Sequence, residues 1–160
     1  MDMMKKNWKP YVFFIVLDEG IGALSGFLSM AGMQNYTQTV VQPPLSPPSW
    51  LFPVAWTILY ALMGYGAARV YQTEPGWFRS LGLNLFIVQL VENFFWSPIF
   101  FNARNYGFAL LWLVLLLMLV IAMTWQFWRT DRKAALAQIP YILWVSFAAY
   151  LNYMVWMLNG

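Results

Sequence analysis

The sequence contains no cysteine and no histidine among its 160 residues, and charged residues make up only 9% of it. Without cysteine the chain forms no disulfide and offers no thiolate to a metal. Without histidine, catalytic triads, imidazole metal ligands and general-base catalysis by histidine are excluded. The net charge of +3 is too small and too scattered for a nucleic-acid-binding surface. We therefore expect neither a metal site nor a nucleic-acid partner.

Apolar residues, in contrast, make up 61% of the chain and aromatic residues 20%. Soluble domains carry about 25% charged residues, so this composition indicates an integral membrane protein. Open sheet edges cannot face lipid, and the apolar stretch 110–120 lacks the alternation that a barrel strand needs. A membrane-spanning helix needs about 20 mostly apolar residues. We predict a single all-α domain over residues 1–160, a bundle of five transmembrane helices at 11–33, 50–71, 81–101, 106–128 and 137–158.

The first span follows Lys5, Lys6 and Lys9, an arrangement that resembles a signal peptide. Asp18 and Glu19 interrupt the apolar stretch, however, and no small-residue cleavage site follows cleanly. The sequence therefore favours a first helix that is retained.

Basic residues are concentrated on one side of the predicted bundle. Eight of the nine lie at the N-terminus or in the second and fourth connections: Lys5, Lys6, Lys9, Arg69, Arg79, Arg129, Arg132 and Lys133. Only Arg104 lies on the opposite side. Because short cytoplasmic loops are enriched in Lys and Arg, we expect the N-terminus inside and the C-terminus outside in a plasma membrane.

The connection 34–49 is long and carries four prolines, Pro43, Pro44, Pro47 and Pro48. Structureless loops of this length are uncommon and often functional. We expect a stiff lid over the outer end of the bundle; the alternative is a plain connector.

Three of the ten tryptophans lie well inside predicted spans, although tryptophan usually lies at the headgroup level. Trp56 shares a helical stripe with Tyr60 and Gly64, and polar side chains face the same way on the other spans. The stripe on the third span is Gln89, Glu92, Asn93, Trp96 and Ser97, and that on the fifth is Trp144, Ala148 and Asn152, with Leu151 adjacent. These stripes meet toward the outer side, which predicts a pocket for a flat apolar ligand. The alternative is packing, with Asn93 and Asn152 joining helices.

Other features within the spans leave alternatives open. Pro98 is expected to bend the third helix. The glycines of Gly22-x-x-x-Gly26 indicate close helix packing, within the chain or at a dimer face, and we favour packing within the chain.

Three intramembrane acids, Asp18, Glu19 and Glu92, have no basic partner in mid-span. This favours protonation or contact with water over an ion pair, with a proton or cation path as the alternative. The sequence assigns none of the three a role.

Three stretches carry a family resemblance. Residues 47–60 read PPSWLFPVAWTILY, residues 89–101 read QLVENFFWSPIFF, and residues 140–153 read PYILWVSFAAYLNY. The first resembles the PPxWxFPxxWxxLY signature of TspO/MBR proteins, the tryptophan-rich sensory proteins related to the mitochondrial translocator. The other two are similar to the third-helix and fifth-helix signatures of that family.

The resemblance implies a five-helix bundle, often dimeric, that binds porphyrins and, in some members, sterols and synthetic isoquinoline or benzodiazepine ligands. By motif position the pocket would be lined by Trp50, Trp56, Asn93, Trp96, Trp144, Ala148 and Leu151, with Tyr36 as a lid contact. Some bacterial members are linked to light-dependent porphyrin breakdown, and Trp56 and Trp144 match the tryptophans concerned.

The chain departs from the family pattern at several positions. The lid motif KPxWxPP reads QPPLSPP at residues 42–48, and Phe108 replaces a tryptophan. Met157 stands where the sterol consensus needs a basic residue, which makes sterol binding doubtful. Glu92 occupies a normally apolar position.

Porphyrin is expected as a ligand and not as a resident cofactor. The usual axial haem ligands are missing, leaving Met or Tyr, so binding should depend on the macrocycle and not on iron. Arg104 is the basic residue on the pocket side and is the candidate partner for the propionates.

Three functional classes remain. We favour a sensor or carrier that binds porphyrin-like ligands. The alternatives are a photochemical degrader of porphyrin that uses light and oxygen, and a membrane scaffold acting through partner proteins. Conventional acid–base catalysis is disfavoured, since no acid–base constellation exists.

Overall fold

Seven α-helices form the chain in the computed structural model, which describes residues 7–160. They are α1 (Lys9–Leu28), α2 (Met30–Thr39), α3 (Leu51–Tyr71), α4 (Trp77–Ser97), α5 (Tyr106–Thr130), α6 (Arg132–Leu136) and α7 (Ile139–Asn159), and a π-helical segment, Pro98–Asn102, continues α4. Five membrane-length apolar helices result, built from α1, α3, α4 with the π segment, α5, and α6 with α7. The described residues contain no strand. The predicted all-α bundle of five transmembrane helices is confirmed.

The bounds of the first span and of the lid loop differ from the predicted 11–33 and 34–49. The helix is interrupted at Ser29, and α2 then continues to Thr39, so the irregular connection covers only residues 40–50. The prolines begin at Pro43, and nothing before them prevents helix formation. Contacts hold α2 in place, because the Tyr36 ring packs 5.6 Å from Phe100 and 5.2 Å from Phe101, centroid to centroid.

The other bounds differ by a few residues. The third transmembrane helix, α4, begins at Trp77, four residues earlier than expected, and the fourth, α5, extends to Thr130. The last helix begins at Ile139, after the short α6. Pro98 marks a change of hydrogen-bond pattern, since the Ala103 N–H donates to the Pro98 carbonyl over five residues (3.0 Å). Pro98 has no backbone N–H and therefore cannot donate the regular α-helical hydrogen bond to the carbonyl four residues earlier.

Glycines let α1 approach α3 closely. A Cβ added to Gly64 would lie 2.8 Å from the Ile15 backbone, and one added to Gly22 would overlap the Tyr60 ring. A Cβ added to Gly26 meets open space. Gly22 therefore serves packing within the chain, as the sequence favoured, and dimerisation stays a prediction.

One end of the bundle holds most of the positive charge. The Arg69 guanidinium bonds to the Asp131 carboxylate (both N···O distances 3.0 Å), joining α3 to the start of α6. The Arg129 guanidinium lies over the Phe78 ring, 4.1 Å from its centroid. We call this the basic end. Lys5 and Lys6 lie outside the described residues, and the membrane orientation stays a prediction.

The proline loop lies at the opposite end, against α7. The Asn159 amide pairs with both backbone groups of Val41 (3.0 and 2.9 Å), and the Tyr150 hydroxyl donates to the Pro44 carbonyl (3.1 Å). Leu45, in the same loop, has a left-handed backbone (φ 69°). Loop residues 41–44 are thus fixed to the half of the last helix that lies away from the basic end.

Candidate functional site

A buried hydrogen-bonded layer joins three helices at mid-bundle. The Tyr60 hydroxyl donates to Asn93 Oδ1, Asn93 Nδ2 donates to the Tyr141 hydroxyl, and Tyr141 donates to Gln89 Oε1, each at 2.7 Å. The last hydrogen bond of this series is donated by Gln89 Nε2 to the Phe86 carbonyl (3.0 Å). We call Tyr60, Gln89, Asn93 and Tyr141 the tyrosine–amide layer.

All four side chains of this layer are buried, and each has a partner. Buried polar groups are costly unless they are paired, and here the Tyr60, Asn93 and Tyr141 donors each meet an acceptor on a neighbouring helix. The layer therefore fixes the register of α3, α4 and α7 against one another.

An aromatic cluster lies one helical turn from this layer. The Trp144 ring is 5.7 Å from Phe52, 6.4 Å from Trp56 and 5.8 Å from Phe147, centroid to centroid. Trp56 in turn lies 5.4 Å from Tyr60. We call Phe52, Trp56, Trp144 and Phe147 the tryptophan cluster. It brings together Trp56 and Trp144 from two of the predicted stripes, and the ligand pocket stays a prediction.

The indole N–H of Trp144 is buried and has no hydrogen-bond partner. Two other part-buried indoles are paired, since Trp96 donates to Asn152 Oδ1 (3.2 Å) and Trp112 to the Glu92 carbonyl (2.7 Å). A buried indole N–H normally finds a partner. Trp144 therefore presents a free donor inside the tryptophan cluster.

A second polar pair joins the helices toward the end of the bundle opposite the basic end. Asn152 accepts from Trp96 and donates through Nδ2 to the Tyr106 carbonyl (2.9 Å), so it joins α7 to both α4 and α5. Asn152 here is interhelical glue, as the packing alternative held. Ala148 and Leu151 are buried on the same helix, between Trp144 and Asn152 in sequence.

Contacts on α7 connect the cluster to the proline loop. Phe147 stacks on Tyr150, with centroids 6.2 Å apart, and the Tyr150 hydroxyl reaches Pro44. The loop therefore touches the same aromatic row that carries Trp144.

Three predicted site residues lie apart from the cluster. Trp50 is 64% exposed at the start of α3, and Arg104 is exposed with a left-handed backbone (φ 55°) between the π segment and α5. Tyr36 packs against Phe100 and Phe101, and burial raises the pKa of its hydroxyl to about 12. Tyr36 is therefore neutral near pH 7, and a ligand role for these three stays a prediction.

Sequence reasoning did not select Tyr141 or Gln89 for the site. Gln89 was visible on the polar stripe of the third span, and Tyr141 precedes Trp144 by one helical turn. The missing information was the helix pairing that brings Tyr141 to Asn93. No group of three metal-ligating side chains exists within residues 7–160. What the geometry offers is ring stacking plus one hydrogen-bond donor.

Two shallow apolar grooves lie elsewhere on the described surface. One, of about 250 Å³, runs between α5, α6 and α7 and includes Trp125 and Trp128. The other, of about 290 Å³, is formed by α3 residues 53–58. Both are alternative positions for a flat apolar molecule.

The chain matches the family model described as TspO/MBR family over residues 14–157. It is 40% identical to the tryptophan-rich protein TspO of Chlorobaculum tepidum over 127 residues, covering 78% of this chain and 79% of that protein. It is 30% identical to the tryptophan-rich sensory protein of Cereibacter sphaeroides over 156 residues (98% and 95%). It is 34% identical to the human translocator protein over 160 residues (98% and 94%).

Proposed function

Because the chain belongs to the TspO/MBR family, we propose that it is an integral membrane receptor or carrier that binds porphyrin-like tetrapyrroles and other flat hydrophobic ligands at the tryptophan cluster. The observation that carries this proposal is the unpaired, buried indole N–H of Trp144 among three other aromatic side chains. The names of relatives, a sensory protein and a translocator protein, support a receptor or transport role.

The energetics favour an aromatic ligand at this position. A stacked aromatic pair contributes about 0.5–1.5 kcal/mol beyond area burial, and a ligand that stacks on Trp56 or Trp144 gains such a contact. An acceptor atom on the ligand would also satisfy the Trp144 donor. Isoquinoline or benzodiazepine-type compounds share the flat aromatic shape and belong to the same proposed class.

A dark titration of detergent-purified protein with protoporphyrin, followed by tryptophan fluorescence and porphyrin absorbance, tests the proposal. Saturable binding that is weakened in Trp56→Phe and Trp144→Phe is expected. Trp77→Phe is the matched control, because Trp77 is 72% exposed at the basic end of α4. Quenching that does not saturate, or that is equal in all variants, would contradict the proposal and favour the scaffold role.

A second candidate is light-dependent and oxygen-dependent breakdown of the bound porphyrin. It is favoured by the contiguous oxidisable rings around Trp56, whose centroid lies 5.4 Å from Tyr60, 6.2 Å from Tyr141 and 6.4 Å from Trp144. Illumination of the saturated complex in air should then remove the porphyrin absorbance band, and Trp56→Phe should slow the loss. An unchanged band in air under light would leave binding without degradation.

A further inference from the structure

One acidic side chain of α1 is buried inside the bundle. Asp18 has 0% exposure, and neither of its carboxyl oxygens has a hydrogen-bond partner. It shares the inward face of α1 with Phe14, Gly22 and Ser25, at helical spacing. Removing an ionised carboxylate from water without a partner costs far more than a single hydrogen bond returns. The position therefore needs either a proton or a counter-ion.

Contacts along α1 place Asp18 at the depth of the tyrosine–amide layer. On one side of it, Phe14 packs against Phe86 of α4 (centroids 5.7 Å apart). On the other side, the Ser25 hydroxyl donates to the Phe94 carbonyl (2.7 Å). Asp18 thus lies level with the middle of the stretch 86–94, which contributes Gln89 and Asn93 to the layer.

The contacts with α3 give the same position. Ile15 meets Gly64, and Gly22 meets the Tyr60 ring, so Asp18 lies between these two close approaches. Asp18 therefore borders the layer at its Tyr60 end.

The hydrogen bonds around Asp18 disfavour its ionised form. The Tyr60 hydroxyl gives its proton to Asn93, and neither Asp18 oxygen receives a hydrogen bond from the described residues. A carboxylate at this position would therefore be buried without a donor, which favours the protonated acid.

The other ionisable groups around Asp18 do not supply a counter-charge. Glu19 is its neighbour on α1, Tyr60 faces it from α3 and Tyr141 from α7, and Glu92 is the acid on α4 at this depth. Among the described residues the basic side chains lie toward the helix ends: Lys9, Arg69, Arg79, Arg104, Arg129, Arg132 and Lys133. The described part of the chain therefore offers no counter-ion at this depth.

We propose that Asp18 is an intramembrane proton-binding site at the α1 end of the tyrosine–amide layer. It holds its proton while α1 and α3 are packed and releases it to water only when they separate. Release breaks the carboxyl O–H bond, gives the proton to a water molecule and leaves a carboxylate, with no redox change. Proton loss is thereby coupled to opening of the α1–α3 contact, independently of whether a porphyrin binds.

Infrared spectroscopy of protein labelled with ¹³C in the aspartate carboxyl tests this directly, since the chain has only three aspartates, Asp2, Asp18 and Asp131. Asp131 is paired with Arg69 and should give only a carboxylate band. Every sample carries Asp2→Asn, so that Asp2 contributes no band. At neutral pH we expect one protonated-acid C=O band that shifts with the label. It should be lost in Asp18→Asn and retained in Glu19→Gln.

Thermal unfolding of the same samples gives an independent reading. Raising the pH until the band disappears should lower the unfolding temperature of the parent, and Asp18→Asn should resist this decline. A spectrum showing only carboxylate at neutral pH, a band abolished by added sodium, or equal alkaline declines in parent and Asp18→Asn would overturn the proposal. If Asp18→Asn does not fold, the labelled parent decides alone.

Discussion

The tyrosine–amide layer and the tryptophan cluster are neighbours in the bundle, but they differ in whether their buried polar groups have hydrogen-bond partners. Each member of the layer has a partner on another helix, as in the 2.7 Å bonds that join Tyr60, Asn93 and Tyr141. In the cluster, the buried donor of Trp144 has none. The layer therefore stabilises the fold, and a substitution in it should lower the free energy of unfolding even when no ligand is present. We propose the cluster as the ligand site, because an acceptor atom on a ligand would pair with the Trp144 donor that the protein leaves free.

The two regions are separated by about one helical turn on each helix. Trp56 precedes Tyr60 by four residues on α3, and Trp144 follows Tyr141 by three on α7. Side chains at these spacings lie above one another on one helix face. The layer thus positions the cluster, and substitutions in each can separate stability from binding.

Replacing Asn93 with Leu should have the largest effect on stability. It leaves the Tyr60 donor and one Tyr141 contact without partners, and an unsatisfied buried group costs about 1–3 kcal/mol, although interhelical bonds in membranes average about 0.6 kcal/mol. We expect a loss of about 1–3 kcal/mol in the free energy of unfolding in detergent. Asn84→Leu, at an exposed position of the same helix, is the control. Equal losses in the two variants would show that the layer is not architectural.

Replacing Trp144 with Phe should weaken ligand binding more than it weakens the fold. The loss of stacking area and of the free donor should reduce protoporphyrin affinity by about 0.5–1.5 kcal/mol, or about two- to twelvefold. The free energy of unfolding should fall less than in Asn93→Leu, because no hydrogen bond within the protein is lost. Titration and denaturation of the same preparation measure both quantities. A variant that unfolds readily but binds normally would reverse the two assignments.

Replacing Arg104 with Ala should have a smaller effect, limited to charged ligands. An exposed ion pair contributes little, so we expect about a two- to fivefold loss of protoporphyrin affinity at low salt, shrinking as salt is added. A neutral isoquinoline-type ligand should lose less. Arg129→Ala, at the basic end, is the matched control. Identical losses for both ligands would remove Arg104 from the site.

The presence of iron should change affinity least of all. With no histidine or cysteine in the chain, the usual strong axial haem ligands are missing. Metal-free protoporphyrin should therefore bind at least as well as haem in parallel titrations. A much tighter affinity for haem would instead indicate a Met or Tyr ligand to iron.

The fold was predictable to the extent that lipid constrains it. Apolar runs of sufficient length identified all five transmembrane helices, because a chain in a bilayer has few other ways to satisfy its backbone. The helix from Met30 to Thr39 was missed because its composition is polar and it is held by packing of Tyr36 on Phe100 and Phe101. Such tertiary contacts leave no periodic signal in the sequence.

The site was predictable one helix at a time. The stripes carrying Trp56, Asn93 and Trp144 follow from helical spacing, and the structure brings them to adjacent levels. The role of Tyr141 was not visible, because it depends on which helix α7 faces. Nor could the sequence show that Trp96 has a partner and Trp144 has none, which depends on side-chain positions at ångström scale.

The most direct test of the ligand site is the indole ¹⁵N–¹H NMR signal of Trp144 during a protoporphyrin titration in the dark, assigned by its absence in Trp144→Phe. The proposal predicts a saturable shift of this signal, while the hydrogen-bonded indole of Trp112 stays in place. A Trp144 signal that does not move, with shifts confined to Trp125 and Trp128 of the α5–α7 groove, would place the ligand on the lipid-facing surface and contradict the proposal.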